Sequence, residues 1–190
     1  MGHAKCLLVW SRNLFYSNPP RSKGLLAARK KGLKIIEVGP LVTPLTRHAD
    51  IHLRLRPGTS GALALALAHV IIEEGVYDRD FVNRWTLGFD EYRNLARGFA
   101  PDAAETITGV PADLIVRAAR LFAGSKPAAV MSGASPTVHH TNGLQNQRAI
   151  NALVGLTGNF DIEVGNHHFD SNYGCILNGV KKQDAENKEG

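Results

Sequence analysis

Ile51-His52-Leu53-Arg54-Leu55-Arg56-Pro57-Gly58-Thr59-Ser60-Gly61-Ala62-Leu63-Ala64-Leu65-Ala66-Leu67-Ala68-His69-Val70-Ile71-Ile72-Glu73-Glu74 reads as a strand, a turn and a helix. Ile51, Leu53 and Leu55 alternate with His52, Arg54 and Arg56, which is the two-residue period of a strand. Pro57 and Gly58 stop that strand, and Thr59 or Ser60 is placed to cap the helix that follows. The helix is apolar on all sides, so it is expected deep in the fold. A glycine-bearing turn at a helix N-terminus offers free backbone N–H groups and the positive end of the helix dipole. Both favour an anion such as phosphate. The unit therefore points to a nucleotide-type ligand.

Working outward, Lys5-Cys6-Leu7-Leu8-Val9-Trp10 is a continuous apolar run, as in a parallel strand buried on both faces. A helix is expected from Pro19 or Pro20 through Leu25, Leu26, Ala27 and Ala28, ended by Gly32. Leu33-Lys34-Ile35-Ile36-Glu37-Val38 is the second strand, closed by Gly39-Pro40, and 51–56 is the third. Short helices are expected at 78–85 after an Asp78 cap, at 88–97 and near 101–107. Pro111 opens a helix with Leu114, Ile115, Ala118, Leu121 and Phe122 on one face. Pro127 to Met131 is a fourth strand, and a last helix spans 142–156 with Leu144, Ala149, Ile150, Leu153 and Leu156 turned inward. Strands alternating with helices predict a three-layer, Rossmann-like α/β domain: a parallel sheet of four or five strands with helices on both faces. The domain is expected over 1–165. Residues 166–190 lose hydrophobic period and read as an extended or disordered polar tail.

The 190 residues are 44% hydrophobic and 21% charged, enough for one domain with a full core. The net charge of +5 suits a polyanionic ligand, yet the only run of three cations, Arg29-Lys30-Lys31, ends a helix where cations are favoured. A nucleic-acid partner is not indicated. Cys6 and Cys175 are too few for a disulfide framework. No stretch reaches the apolar length of a membrane helix, and Met1 is followed almost at once by a strand rather than a leader, so a cytoplasmic location is expected for the chain as written.

In an open α/β sheet, ligands bind beyond the carboxyl ends of the strands. Four loops are expected there: Ser11-Arg12-Asn13, Gly39-Pro40-Leu41, Pro57-Gly58-Thr59-Ser60 and Ser132-Gly133-Ala134-Ser135. All carry small or hydrogen-bonding residues that let backbone approach a ligand. Gly-x-Gly-x-x-Gly and a Walker-type Gly-Lys-Ser/Thr are both absent, which argues against an ordinary NAD or ATP domain. His139-His140 and His167-His168 are adjacent pairs with no carboxylate or cysteine set to complete a metal sphere. Neither a serine-nucleophile elbow nor an acid–base carboxylate couple stands out, so no catalytic residue is assigned.

The ordered motifs resemble the central dinucleotide-binding region of the molybdopterin oxidoreductases of the dimethyl sulfoxide reductase type, which include formate dehydrogenases, nitrate reductases and acetylene-hydratase-like enzymes. The marks are Leu7 to Asn13, Lys34 to Pro40, His48 to Leu53, Arg56 to Leu63, Glu74 to Val82, Thr108 to Ala112, and Arg148 to Leu153 with Leu156 to Asn159. The resemblance implies a bis(molybdopterin guanine dinucleotide) cofactor of molybdenum or tungsten. It implies binding by Trp10, Ser11 and Asn13 at the pyrophosphate, Gly39 and Pro40 at the ribose, Arg56, Gly58, Thr59 and Ser60 at the guanine, and Ser132 and Gly133 nearer the pterin.

Two positions depart from that family's pattern. Asp-Pro-Arg is usual after the second strand, where this chain has Gly39-Pro40-Leu41, and Arg-Pro-Gly-Thr-Asp is usual where it has Ser60. Each lost carboxylate removes a charge-assisted hydrogen bond worth roughly 1.5–3 kcal/mol. Neither Cys6 nor Cys175 lies where the family's metal ligand stands. Two readings remain. One is a domain of a larger oxidoreductase that binds one molybdopterin guanine dinucleotide and is inactive alone. Its partners are the remaining domains or an adjacent subunit, and its bared apolar faces favour self-association. The other is a stand-alone α/β module that has lost the cofactor and serves in protein interaction.

Overall fold

The structure is a computed structural model that describes residues 4–133, 139, 141–163 and 165–166. Strands β1 (Cys6–Trp10), β2 (Lys34–Val38), β3 (Ile51–Leu53) and β4 (Ala128–Ser132) form one parallel sheet in the order β3-β2-β1-β4. Helices α1 (Leu14–Ser17) and α2 (Pro19–Lys30) connect β1 to β2. Helices α3 (Ser60–Glu73), α4 (Arg79–Trp85), α5 (Phe89–Arg97), α6 (Pro101–Thr108) and α7 (Ala112–Ala123) connect β3 to β4, and α8 (Gly143–Leu156) follows β4.

The strand period sorts the core into two layers. Leu7, Val9 and Ile35 face α2, packing with Leu14, Leu25, Ala28, Leu33 and Leu45. Cys6, Leu8, Trp10, Ile36 and Val38 face the other way, against α3, α7 and α8. Central β1 is covered on both sides, which is why all five of its residues are buried. The three-layer α/β fold expected from the sequence is thus present. Helix α3 lies deep, with nine of its fourteen residues buried. It packs closely on α8 at Gly61, where a Cβ would come within 2.5 Å of the Asn146 Oδ1.

Several local expectations need correcting. Strand β3 ends at Leu53, although Leu55 stays buried beyond it. A four-residue helix, α1, occupies part of the loop after β1. Leu144 is 64% exposed rather than inward, because Asn146, Ala149, Ile150 and Leu153 form the packed face of α8. Thr59 occupies the N-cap position of α3 without capping it. Its hydroxyl donates instead to the Arg56 carbonyl at 2.7 Å and closes the Pro57-Gly58 turn, with Gly58 at φ +85°. Asp78 does cap α4, accepting from the Phe81 N–H at 2.9 Å. The predicted tail lies outside the described residues except for Asn166, whose side chain bonds β4.

Asp50, just before β3, ties the amino ends of α2's partner strands together. It accepts from Arg29 at 2.7 Å, from Lys34 at 3.3 Å and from the Ile35 N–H at 2.8 Å. Burial alone would raise its pKa, but the Ile35 N–H, Lys34 and Arg29 together outweigh that and hold the carboxyl below its ordinary value. A carboxyl held down in the folded state stabilises the fold above its unfolded pKa and loses that stabilisation as pH falls through the folded value. Thermal unfolding is therefore expected to lose stability below about pH 4, the unfolded range of Asp. In Asp50→Asn that acid-side slope becomes shallower while Tm at pH 7 drops. An unchanged slope in Asp50→Asn would assign the acid sensitivity to other groups.

Candidate functional site

A parallel sheet puts all four strand ends at one rim, so the four loops singled out from the sequence share one edge of the fold. The chain leaves β1 toward α2 on one face, while α8, which follows β4, packs on α3 on the other. Between β1 and β4 the connections therefore diverge, and this switch point is the crevice position at which open α/β sheets bind ligands.

Ser11 opens the β1 loop at φ +49°, a left-handed conformation unusual for a residue with a side chain. Its N–H donates to the Val38 carbonyl at 2.6 Å. The next two amides, of Arg12 and Asn13, donate to nothing among the described residues, and the Asn13 Oδ1 is buried without a partner. The Arg12 guanidinium crosses the crevice to the Ser132 carbonyl at 3.4 Å, and the Gly133 N–H donates back to the Trp10 carbonyl at 2.9 Å. Gln147 of α8 donates to the Ser132 hydroxyl at 3.1 Å. Residues 11–13 thus share the crevice with Ser132 and Gly133, while Ala134 and Ser135 lie outside the described residues.

The β2 loop joins the same rim. The Gly39 N–H donates to the Leu53 carbonyl at 3.2 Å, and Arg54 donates to the Pro40 carbonyl at 3.3 Å. Residues 43–46 behind it are pinned by Glu37, 3% exposed, which accepts from the Thr43 and Thr46 hydroxyls at 2.6 Å each. Each hydroxyl also accepts from a backbone N–H of that loop, so the brace is fully bonded. Sequence reading missed it, because a Glu inside an apolar strand gives no sign of which distant hydroxyls it meets.

Other candidates are directed elsewhere. Trp10 and Ser60 are brought together, but inside the core: the indole Nε1 donates to the Ser60 Oγ at 3.2 Å, with Trp10 fully buried and Ser60 4% exposed. The Arg56 guanidinium lies on the carboxyl end of α6, bonded to the Thr106 carbonyl at 2.7 Å and the Ile107 carbonyl at 3.3 Å. There it meets the negative end of the helix dipole. Gly58 and Thr59 edge a separate cavity of about 750 Å³ between α3, α5 and α8, walled by Leu65, Phe89, Tyr92 and Ala149. Its wall also carries Asn142, Gln145 and Arg148 beside the N-terminus of α3.

Among the described residues no three His, Cys, Asp or Glu gather as a metal site, and His140, His167, His168 and Cys175 lie outside them. Burial, with a smaller push from Asp50, drives the Cys6 thiol up to about 12, so it stays protonated in the core.

Known proteins resemble this chain in sequence and fold. The pattern of the molybdopterin oxidoreductases matches residues 1–190. This chain belongs to that family. It is 39% identical over 153 residues to formate dehydrogenase H of Escherichia coli, covering 80% of this chain and 21% of that protein. It is 35% identical over 170 residues to acetylene hydratase of Syntrophotalea acetylenica, covering 88% of this chain and 23% of that protein. The solved acetylene hydratase from Pelobacter acetylenicus superposes with a TM-score of 0.77 at 36% identity, over 82% of this chain and 21% of that one. The chain thus spans about a fifth of the length of these relatives.

Membership of the molybdopterin oxidoreductases implies a molybdopterin cofactor. The rim suits the phosphate part of such a group: unbonded N–H groups on a left-handed turn and an adjacent guanidinium are anion donors. It suits a guanine less well, since Gly39 has no side chain and the Ser60 hydroxyl is buried against Trp10. Among the described residues no helix is long and apolar enough to cross a membrane.

Proposed function

We propose that this chain is the dinucleotide-binding domain of a molybdenum or tungsten oxidoreductase, holding the phosphate end of one molybdopterin guanine dinucleotide, and that it has no redox activity alone. The crevice between β1 and β4, with its unbonded amides of Arg12 and Asn13, carries this reading. Ser11, Arg12 and Asn13 would hold the diphosphate, Gly39 and Pro40 would lie along the ribose, and Ser132 and Gly133 would face the pterin side. The cofactor supplies the metal and the redox chemistry; these residues bind and orient it. Trp10, Ser60 and Arg56 support the site through packing rather than contact.

The rest of the oxidoreductase is the proposed partner. Trp85, Leu87, Leu95 and Ile107 are 75%, 102%, 55% and 43% exposed, large apolar side chains of the kind that mark an interaction surface. Purified alone, the chain would self-associate through it.

Thermal-shift titration with GDP at low salt tests the binding. Stabilisation at millimolar GDP is expected, and Gly39→Asp should strengthen it, since a Cβ there meets only the Ser11 Cα at 3.9 Å. No shift in either protein would leave the cofactor-free interaction module as the better reading.

A further inference from the structure

We infer that Arg12 and Arg54 form a two-point anion clamp across the end of β1, so that this chain reads its nucleotide by phosphate charge and hardly by base. The inference rests on the nucleotide reading above and names how the site selects its ligand.

Arg12 is tied to the Ser132 carbonyl at the end of β4, and Arg54 to the Pro40 carbonyl beyond β2. In the sheet, β4 and β2 are the two neighbours of β1. The two anchoring groups therefore stand on either side of the end of β1, Ser132 at the last residue of β4 and Pro40 two residues beyond β2.

Both guanidiniums are held by neutral carbonyls, which orient them without cancelling their charge. No carboxylate pairs with either among the described residues, because the ion pairs lie elsewhere: Arg29 and Lys34 with Asp50, Arg93 with Asp90, Arg97 with Glu73, Arg120 with Glu74 and Lys126 with Asp78. Glu37, the acid nearest the rim on β2, is buried and spent on Thr43 and Thr46. An arginine has five N–H donors, and each of these uses one on its anchor. The donors left over can meet phosphate oxygens in the forked geometry that guanidinium favours. The amides of Arg12 and Asn13, which donate to nothing among the described residues, belong to the same β1 loop.

The base-reading side is weak by the same account. Position 39 offers only backbone, and the hydroxyl at position 60 is 4% exposed and bonded to Trp10. Discrimination between bases needs polar groups that go unsatisfied when the wrong edge is presented. This rim presents none at those two positions.

Calorimetric titration of the full chain at low salt, with GDP, ADP, guanosine and inorganic pyrophosphate, tests the clamp. GDP and ADP are expected to bind within about threefold of one another, guanosine far more weakly, and affinity to fall as salt screens the charges. Arg12→Gln should weaken GDP about tenfold and the more exposed Arg54→Gln about threefold, as charge-assisted contacts of graded burial do. Arg93→Gln, on α5, should change nothing. Unchanged GDP binding in Arg12→Gln and Arg54→Gln, with the wild-type Tm retained, would overturn the clamp and leave the nucleotide reading standing. So would GDP binding more than tenfold tighter than ADP. If pyrophosphate binds with the same arginine dependence and GDP binds no tighter, the clamp holds and the nucleotide reading falls. Absence of binding by GDP and pyrophosphate alike would overturn both.

Discussion

Trp10→Ala is expected to lower the stability of this domain by about 3–5 kcal/mol, the usual cost of removing a large aromatic side chain from a closed core. Trp10 is fully buried at the end of β1, on the central strand of the sheet and against the α3–α8 layer. Its loss opens a cavity where β1, β2 and α3 meet. It also leaves the Ser60 hydroxyl, 4% exposed, without its indole donor. Two milder variants separate packing from hydrogen bonding. Trp10→Phe keeps much of the ring volume and removes the donor. Ser60→Ala removes the acceptor and leaves a buried N–H unpaired, at about 1–3 kcal/mol. Combined, the two should cost less than the sum of the single changes, because each already breaks the same bond. Denaturant unfolding of the four proteins measures this. A strictly additive double variant would show that the Trp10–Ser60 bond contributes nothing. A Trp10→Ala loss under 1 kcal/mol would contradict the closed core itself.

That pair also shows where sequence reading reaches and where it stops. The alternation of Ile51, Leu53 and Leu55 and the apolar run from Cys6 to Trp10 mark strands because periodicity is a local signal. Strand–helix alternation then restricts the topology to a parallel sheet with both faces covered. The direction of an individual side chain is a tertiary fact. Trp10, Arg56 and Ser60 occupy the motif positions implied by family resemblance, yet the core and the end of α6 take their polar groups. Arg12 belonged to a loop already singled out, but its reach to Ser132 crosses 120 residues of sequence. Arg54 looked like the outward phase of a strand. The strand ends one residue earlier, which frees it to hold Pro40. Leu144 was misplaced because an apolar residue at the first turn of α8 satisfies the helical period without reaching the neighbouring layer.

The site therefore depends on parts of the molecule that never touch a ligand, and the edge strand is the clearest case. β4 carries Ser132 and Gly133, yet among the described residues it has a strand neighbour on one side only. Its outer amides are satisfied by two asparagine side chains. The Ala128 N–H donates to Asn159 Oδ1 at 2.8 Å, and Val130 exchanges two bonds with the Asn166 amide, at 2.7 and 2.8 Å. Asn159 is 1% exposed and also donates to the Thr157 hydroxyl at 2.8 Å, which itself donates a hydrogen bond to the Leu153 carbonyl at 2.9 Å. The end of α8 is thereby fastened to the start of β4.

Asn159→Ala is expected to cost about 2–4 kcal/mol. It strands the buried Ala128 N–H and breaks the link to Thr157, and each unsatisfied buried group costs about 1–3 kcal/mol. Asn159→Asp keeps the acceptor for Ala128 but loses the donor to Thr157 and buries a charge. Burial raises the pKa of that carboxyl in the folded state. Its penalty is thus largest at neutral pH and eases as pH falls and the acid protonates to become a donor again. Recovery of Asn159→Asp at mild acid, with Asn159→Ala showing none, is the expected pattern in thermal unfolding. Faster hydrogen exchange at the Ala128 amide would place the damage at the sheet edge. Because Ser132 anchors Arg12 across the crevice, both variants should also weaken GDP, even at temperatures where the domain remains folded. Undiminished GDP binding in a folded Asn159→Ala protein would mean that the rim does not need β4 held in register.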